Sequence, residues 1–148
     1  MSVDPPAVVA VINNRMTYEY LEDDQGHKVV HMKMKMPLIL SNRSIVTCFY
    51  RQSKDDGTKE LFHSSKGNEA IAEARASQIG SDVIATNHIT YFSWKPYEGG
   101  MELRSVMKMD PNGSIPSMIK NKMGSRMAGG LKIMVDYLQN GTVPTSIF

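Results

Sequence analysis

Between residues 27 and 36 apolar and cationic positions alternate: Val30, Met32, Met34 and Met36 fall on one side, His31, Lys33 and Lys35 on the other. A two-residue period of this kind belongs to a strand with one buried face. It recurs in residues 101–110, where Leu103, Ser105, Met107 and Met109 alternate with Glu102, Arg104 and Lys108, and only Val106 breaks the polar side. Residues 43–51 (RSIVTCFYR) place Ile45, Thr47 and Phe49 on one side and Val46, Cys48 and Tyr50 on the other. Both sides are largely apolar, which predicts a strand covered on both faces. Lys54, Asp55, Asp56 and Gly57 make an Asp-Gly turn that returns the chain as a strand over residues 59–64. Residues 82–96, with Ile84, His88, Ile89, Tyr91, Phe92 and Trp94, predict a long, bent fourth strand that leads through a turn at 97–100 into the fifth.

After residue 110 the period changes. Asp110, Pro111, Asn112 and Gly113 supply turn chemistry, because Pro fixes φ and Asn or Gly accepts a positive φ. Beyond them Ile119, Met123, Met127, Leu131, Met134, Val135 and Leu138 recur at three and four residues, so one face of a long helix is built for burial. Ser114 or Ser117 is the expected N-cap, Pro116 suits a first turn, and Gly141 is the expected stop. Gly124, Gly129 and Gly130 interrupt this helix. Each costs ~1 kcal/mol relative to Ala, so either the helix kinks or something flat or bulky approaches it closely. Short helices are predicted over residues 7–13 and 69–78, the second capped by Asn68, while residues 15–21 are expected to be irregular or strand-like. One helix, five mostly antiparallel strands with a helical excursion, and a long last helix make an α+β pattern, a meander sheet against one helix.

Composition narrows the function more than the fold. The 148 residues suit one domain, and 41% hydrophobic with 22% charged residues is ordinary for a globular chain. A net charge of +2 with scattered lysines does not suit a nucleic-acid partner. The lone Cys48 rules out an internal disulfide and fits a reducing compartment. Residues 1–10 lack a basic start and an apolar run, and no stretch is apolar enough to span a membrane, so a cytoplasmic protein is expected.

Catalytic patterns are missing. His27, His31, His63 and His88 show no metal-ligand spacing, there is no nucleophile elbow, phosphate loop or dinucleotide fingerprint, and Cys48 sits on a predicted strand. No cofactor or metal is called for. Methionine is the oddity: of 12, at least Met32, Met34, Met36, Met107, Met109, Met123, Met127 and Met134 sit where periodicity points inward. Thioether chains are flexible and polarizable and line adaptable apolar surfaces, although they also fill an ordinary core. A cavity walled by Val30, Met32, Met34, Met36, Ile45, Phe49, Leu103, Met107, Met123, Met127 and Leu131 would suit a hydrocarbon ligand with a small polar handle. Thr47, Tyr91, Ser93 and Ser105 are the candidate handles, each of which could equally be a satisfied core hydroxyl.

Three segments resemble the StAR-related lipid-transfer (START) domain family: SNRS at residues 41–44, where the family tends to have Arg-Asp; WKPYEGG at 94–100; and VMKMDPNGSIPSMIKNKM at 106–123. The resemblance covers about residues 6–140. It implies a helix-grip fold, a curved antiparallel sheet wrapped around a long C-terminal helix, with one lipid bound in the tunnel between them. It also implies a lid formed by that helix and adjacent loops, transient contact with a membrane surface, and a carrier without catalytic activity. The chain departs from the family in lacking its N-terminal helix and first strands, and in having Ser44 where an acidic residue usually follows Arg43. Val30 and Phe49 stand where sterol-binding members place a Glu and an Arg, which leaves phospholipid, sphingolipid or fatty acid alongside sterol as the implied ligand. Two other readings remain at this level. One is a helix-grip enzyme using His88 with Tyr91 or Glu102; the other is an interaction module or homo-oligomer formed through an open sheet edge.

Overall fold

The computed structural model describes residues 16–22, 28–74 and 79–140. The expected helix at 7–13, the last residues of the expected excursion helix (75–78), the stop at Gly141 and the tail lie outside the described residues. Described are strands β1 (Met16–Glu22), β2 (Lys28–Met34), β3 (Arg43–Ser53) and β4 (Lys59–Ser64), then helix α1 (Glu69–Ala74), strands β5 (Val83–Ile84), β6 (Thr86–Tyr97) and β7 (Gly100–Asp110), and helix α2 (Ser117–Asn140). The sheet runs β1-β2-β3-β4-β6-β7, every neighbour antiparallel, with β5 set parallel to the start of β3.

Two features come from pairing, which local pattern does not carry, and only the second departs from the sequence reading. Residues expected to be irregular or strand-like form β1, held in unbroken register from Met16 opposite Met34 to Glu22 opposite Lys28. The single fourth strand is two: Val83 and Ala85 donate to the carbonyls of Asn42 and Ser44 (both 2.9 Å) before the chain crosses to pair with β4 and β7. A bulge at His88, between Asn87 and Ile89, shifts the register of β6 on β7.

The sheet is buried on both faces where β3 crosses it, as its two apolar sides predict. On the outer face Val29, Val46 and Cys48 pack with Ile79 and, from α1, Ile71. On the inner face Val30, Met32 and Ile45 pack with Ala85, flanked by Met34, Phe49 and Met109. Each fully buried aliphatic side chain in these clusters contributes about 1.5–3 kcal/mol.

The β7–α2 connection is tied to this core by Arg43. Its guanidinium is buried and donates to backbone carbonyls, Nε to Pro111 (2.8 Å), Nη2 to Asn112 (3.1 Å) and Nη1 to Ser41. Asn112 and Gly113 both adopt positive φ (48° and 66°), and a Cβ on Gly113 would stand 3.4 Å from Arg43 Nη2. The Asn-Gly pair is therefore what lets the turn close onto the arginine. The carbonyl of Pro116 accepts from Ile119 (2.9 Å) and Lys120 (3.1 Å), so Pro116, not Ser114 or Ser117, occupies the cap position. From there α2 runs unbroken through its glycines to Asn140.

Candidate functional site

Cross-strand register decides which side chains share the inner face. Val30 opposes Thr47, Met32 opposes Ile45, and Phe49, His63, Thr90 and Met107 lie opposite one another in a single row across β3, β4, β6 and β7. The next rows place Leu61, Phe92 and Ser105, then Trp94 and Leu103, on the same face. Of the residues singled out from sequence, Val30, Met32, Met34, Ile45, Thr47, Phe49, Leu103, Ser105 and Met107 thus share one face. Met36 lies just beyond the end of β2, half-buried. Leu131 is half-buried on α2, and the Met127 side chain is outside the described set.

Tyr91 and Ser93 do not belong to this face, which corrects their candidacy. They oppose Phe62 and Glu60 on the outer side, where Tyr91 donates its hydroxyl to Glu60 Oε1 (2.8 Å) and packs its ring on Phe62. Lys54 Nζ reaches the same carboxylate oxygen at 2.8 Å, and these two bonds hold the Glu60 carboxyl below its usual range. Tyr91 and Ser93 carry the expected hydroxyls, but strand parity, once β6 is paired, puts them on the outer side.

Between α2 and the edge of the inner face opens a cleft of about 470 Å³, lined by Met107, Met109 and Pro111 on one wall and Met123 and Gly124 on the other. Lys108, Asp110 and Lys120 also line it. Its volume falls within the roughly 300–1,000 Å³ of small-molecule sites. A Cβ built on Gly124 or Gly129 would meet nothing within 4 Å. Neither glycine is required by packing against the rest of the protein; at Gly124 the missing side chain widens the cleft.

Inward from Met107 the row continues through Thr90 to His63, two strands or roughly 10 Å away. Here sits a polar cluster that sequence reading passed over. Asn87 and Thr90 are wholly buried, and Thr90 donates its hydroxyl to Asn87 Oδ1 (3.1 Å). The Asn87 amide nitrogen reaches both the His63 carbonyl (3.3 Å) and His63 Nδ1 (3.0 Å). The His63 ring stacks on Phe49 at 4.7 Å, and burial pushes its pKa down to about 4. Thr47 Oγ1 is buried without a hydrogen-bond partner among the described residues. The available signal was the Leu61/His63 alternation, which becomes informative only once β4 is set beside Phe49.

The outer face carries a second polar chain. His31 Nε2 lies 3.1 Å from Ser44 Oγ, Ser44 lies 2.9 Å from Asp82 Oδ2, Lys33 reaches that oxygen at 3.0 Å, and Glu19 stands 3.8 Å from His31 Nδ1. The residue types are those of a hydrolytic triad, but the donors run the wrong way. Ser44 gives its proton to Asp82, so His31 must donate to Ser44 and cannot act as its base. Ser44 is also wholly buried. Nor does the His88 pairing form: Tyr91 is engaged with Glu60, and Glu102 accepts from Arg104. Among the described residues no three His, Cys, Asp or Glu side chains gather as metal ligands, and no helix is long and apolar enough to cross a membrane.

No family model matches this chain, and no curated protein matches it in sequence. Its backbone does match solved structures. Human StAR-related lipid transfer protein 5 superposes with a TM-score of 0.63 at 14% identity, over 89% of this chain and 65% of that one. The human StarD13 (DLC2) lipid transfer and protein localization domain gives 0.64 at 15%, over 84% and 66%. Human STARD10 gives 0.57 at 14%, over 89% and 58%. The chain thus spans between 58% and 66% of the length of these three structures. An antiparallel sheet closed over by a long C-terminal helix, with the cleft between them, is the helix-grip fold of the START lipid-transfer domains.

Proposed function

We propose that this protein binds a single lipid molecule between the inner sheet face and α2 and carries it between membrane surfaces. The observation that carries this reading is the cleft between α2 and the β7 edge of the inner face, walled by Met107, Met109, Pro111 and Met123 and continuous by register with a sheet face lined by Met, Val, Ile and Phe. Burying an acyl chain there supplies drive at ~0.8 kcal/mol per methylene. The likeness in fold to proteins named for lipid transfer supports the same reading. At the β2–β3 turn, closed by Leu40 donating to Pro37 (2.8 Å), Leu38 is fully exposed and Ile39 is 79% exposed, with the cation Lys35 nearby. That turn is our choice for the membrane-touching element, since apolar tips beside a cation suit the bilayer interface. We read the protein as a carrier and not a catalyst because the triad-like grouping found among the described residues is buried and wired against nucleophilic attack.

The test is native mass spectrometry of protein purified from its own cells, followed by organic extraction. A co-purifying lipid at one per chain is expected, lost in Met107→Lys while circular dichroism stays unchanged. A bare chain that takes up nothing from a mixed lipid panel would refute the reading.

A further inference from the structure

The polar cluster on the inner face allows the ligand's head to be specified; this step rests on the lipid-carrier reading above. A backbone carbonyl can only accept, so the contact of the Asn87 amide with the His63 carbonyl orients its NH₂ toward His63. The same NH₂ then donates to His63 Nδ1, which must be the unprotonated nitrogen. The ring is therefore the tautomer with its hydrogen on Nε2. That nitrogen has no partner among the described residues and is not among the fully buried unpaired atoms, so an N–H donor faces accessible space on the inner face. Burial keeps the ring neutral at physiological pH. On the same face Thr47 holds a sealed hydroxyl without a partner, a group that most folded proteins would satisfy.

We propose that His63 Nε2–H receives the polar end of the lipid, inserted head-first along the inner face, that the Thr47 hydroxyl, sealed in the lipid-free protein, opens to it on binding, and that together they select an uncharged oxygen function, a hydroxyl or carbonyl. A carboxylate or phosphate would lose its hydration there and meet a neutral imidazole and hydroxyls in return, which does not compensate a buried charge. Two guanidiniums share this face by register: Arg43 is committed to three carbonyls, and Arg51, opposite Leu61, is exposed to water rather than buried with the His63 cluster. The lysines that line the cleft, Lys108 and Lys120, are at its outer end with Met107, about two strands away from His63.

Three probes with one chain and different heads test this: oleyl alcohol, oleate and 1-octadecene, titrated into the full chain and its variants by native mass spectrometry and competition binding. The wild type should prefer oleyl alcohol. His63→Phe, which keeps the stack on Phe49 but removes the donor, should weaken the alcohol about tenfold, or 1.4 kcal/mol, and leave octadecene unchanged. Thr47→Val should weaken the alcohol while raising the melting temperature of the lipid-free protein, because it removes an unpaired buried hydroxyl. A merely structural threonine would not show that combination. Imidazole ¹⁵N shifts should report Nε2–H on His63 and move when the alcohol binds. If no probe binds the wild type, the carrier reading itself fails. If all bind and neither variant alters the alcohol, only the head-group assignment is overturned. Preference for oleate, abolished by Lys120→Glu, would place the head at the mouth and overturn it as well.

Discussion

Replacing Arg43 with Met tests how the helix is held over the sheet. Methionine keeps most of the arginine stem and removes only the donors, leaving the carbonyls of Ser41, Pro111 and Asn112 without their partner. A hydrogen bond to a charged group contributes about 1.5–3 kcal/mol, but losing a buried cation also removes its desolvation penalty, and the half-buried turn can recover some water. The net expectation is a loss of about 2–4 kcal/mol, a large share of the roughly 5–15 kcal/mol that holds a domain folded. With an m-value of about 1–3 kcal/mol/M, the urea midpoint should fall by about 1–2 M with m unchanged. Hydrogen exchange should accelerate most in the first turns of α2, whose starting turn Arg43 fixes, and least in β2 and β3. An unchanged midpoint, or a loss of protection spread evenly over the sheet, would refute the view that this arginine positions the helix.

Other consequences are testable in the same preparations. Gly124→Ala meets no atom within 4 Å, so it should stabilise α2 by up to ~1 kcal/mol in thermal unfolding while narrowing the cleft and lowering lipid uptake. A destabilised variant would mean that the helix does pack closely there. Leu38→Asp with Ile39→Asp should leave the melting temperature within a degree or so and slow lipid transfer between vesicles severalfold; equal transfer rates would remove this turn from the membrane contact. Unfolded His63 takes up a proton below about pH 6.5 but the folded ring only near pH 4. Between these values the unfolded state binds more protons, so stability should fall on acidification by up to ~1.4 kcal/mol per pH unit and be fully present above pH 6.5. His63→Phe should flatten that limb; an unaltered pH profile would show that His63 is not what titrates.

The sequence by itself determined the elements whose period is set by burial. The alternation in residues 27–36 and 101–110, the doubly apolar run at 43–51, and the three-and-four spacing after Ser117 each survive as β2, β7, β3 and α2, because a face that must leave water writes its period into the chain. The Asp-Pro-Asn-Gly turn was legible for the same local reason: few residues accept positive φ. What tertiary structure alone decided is what depends on partners. Residues 16–22 have a mixed pattern and become a strand through their pairing with β2. Tyr91 and Ser93 look like pocket hydroxyls in one dimension and fall on the outer face once β6 takes its register on β4. His63, Asn87 and Thr90 have no shared motif and meet because two strands and a bulge bring them together. The cleft beside α2 follows the same rule: an amphipathic face in the sequence specifies that something apolar covers it, and only the packed fold decides whether that is the sheet or a space left for a ligand.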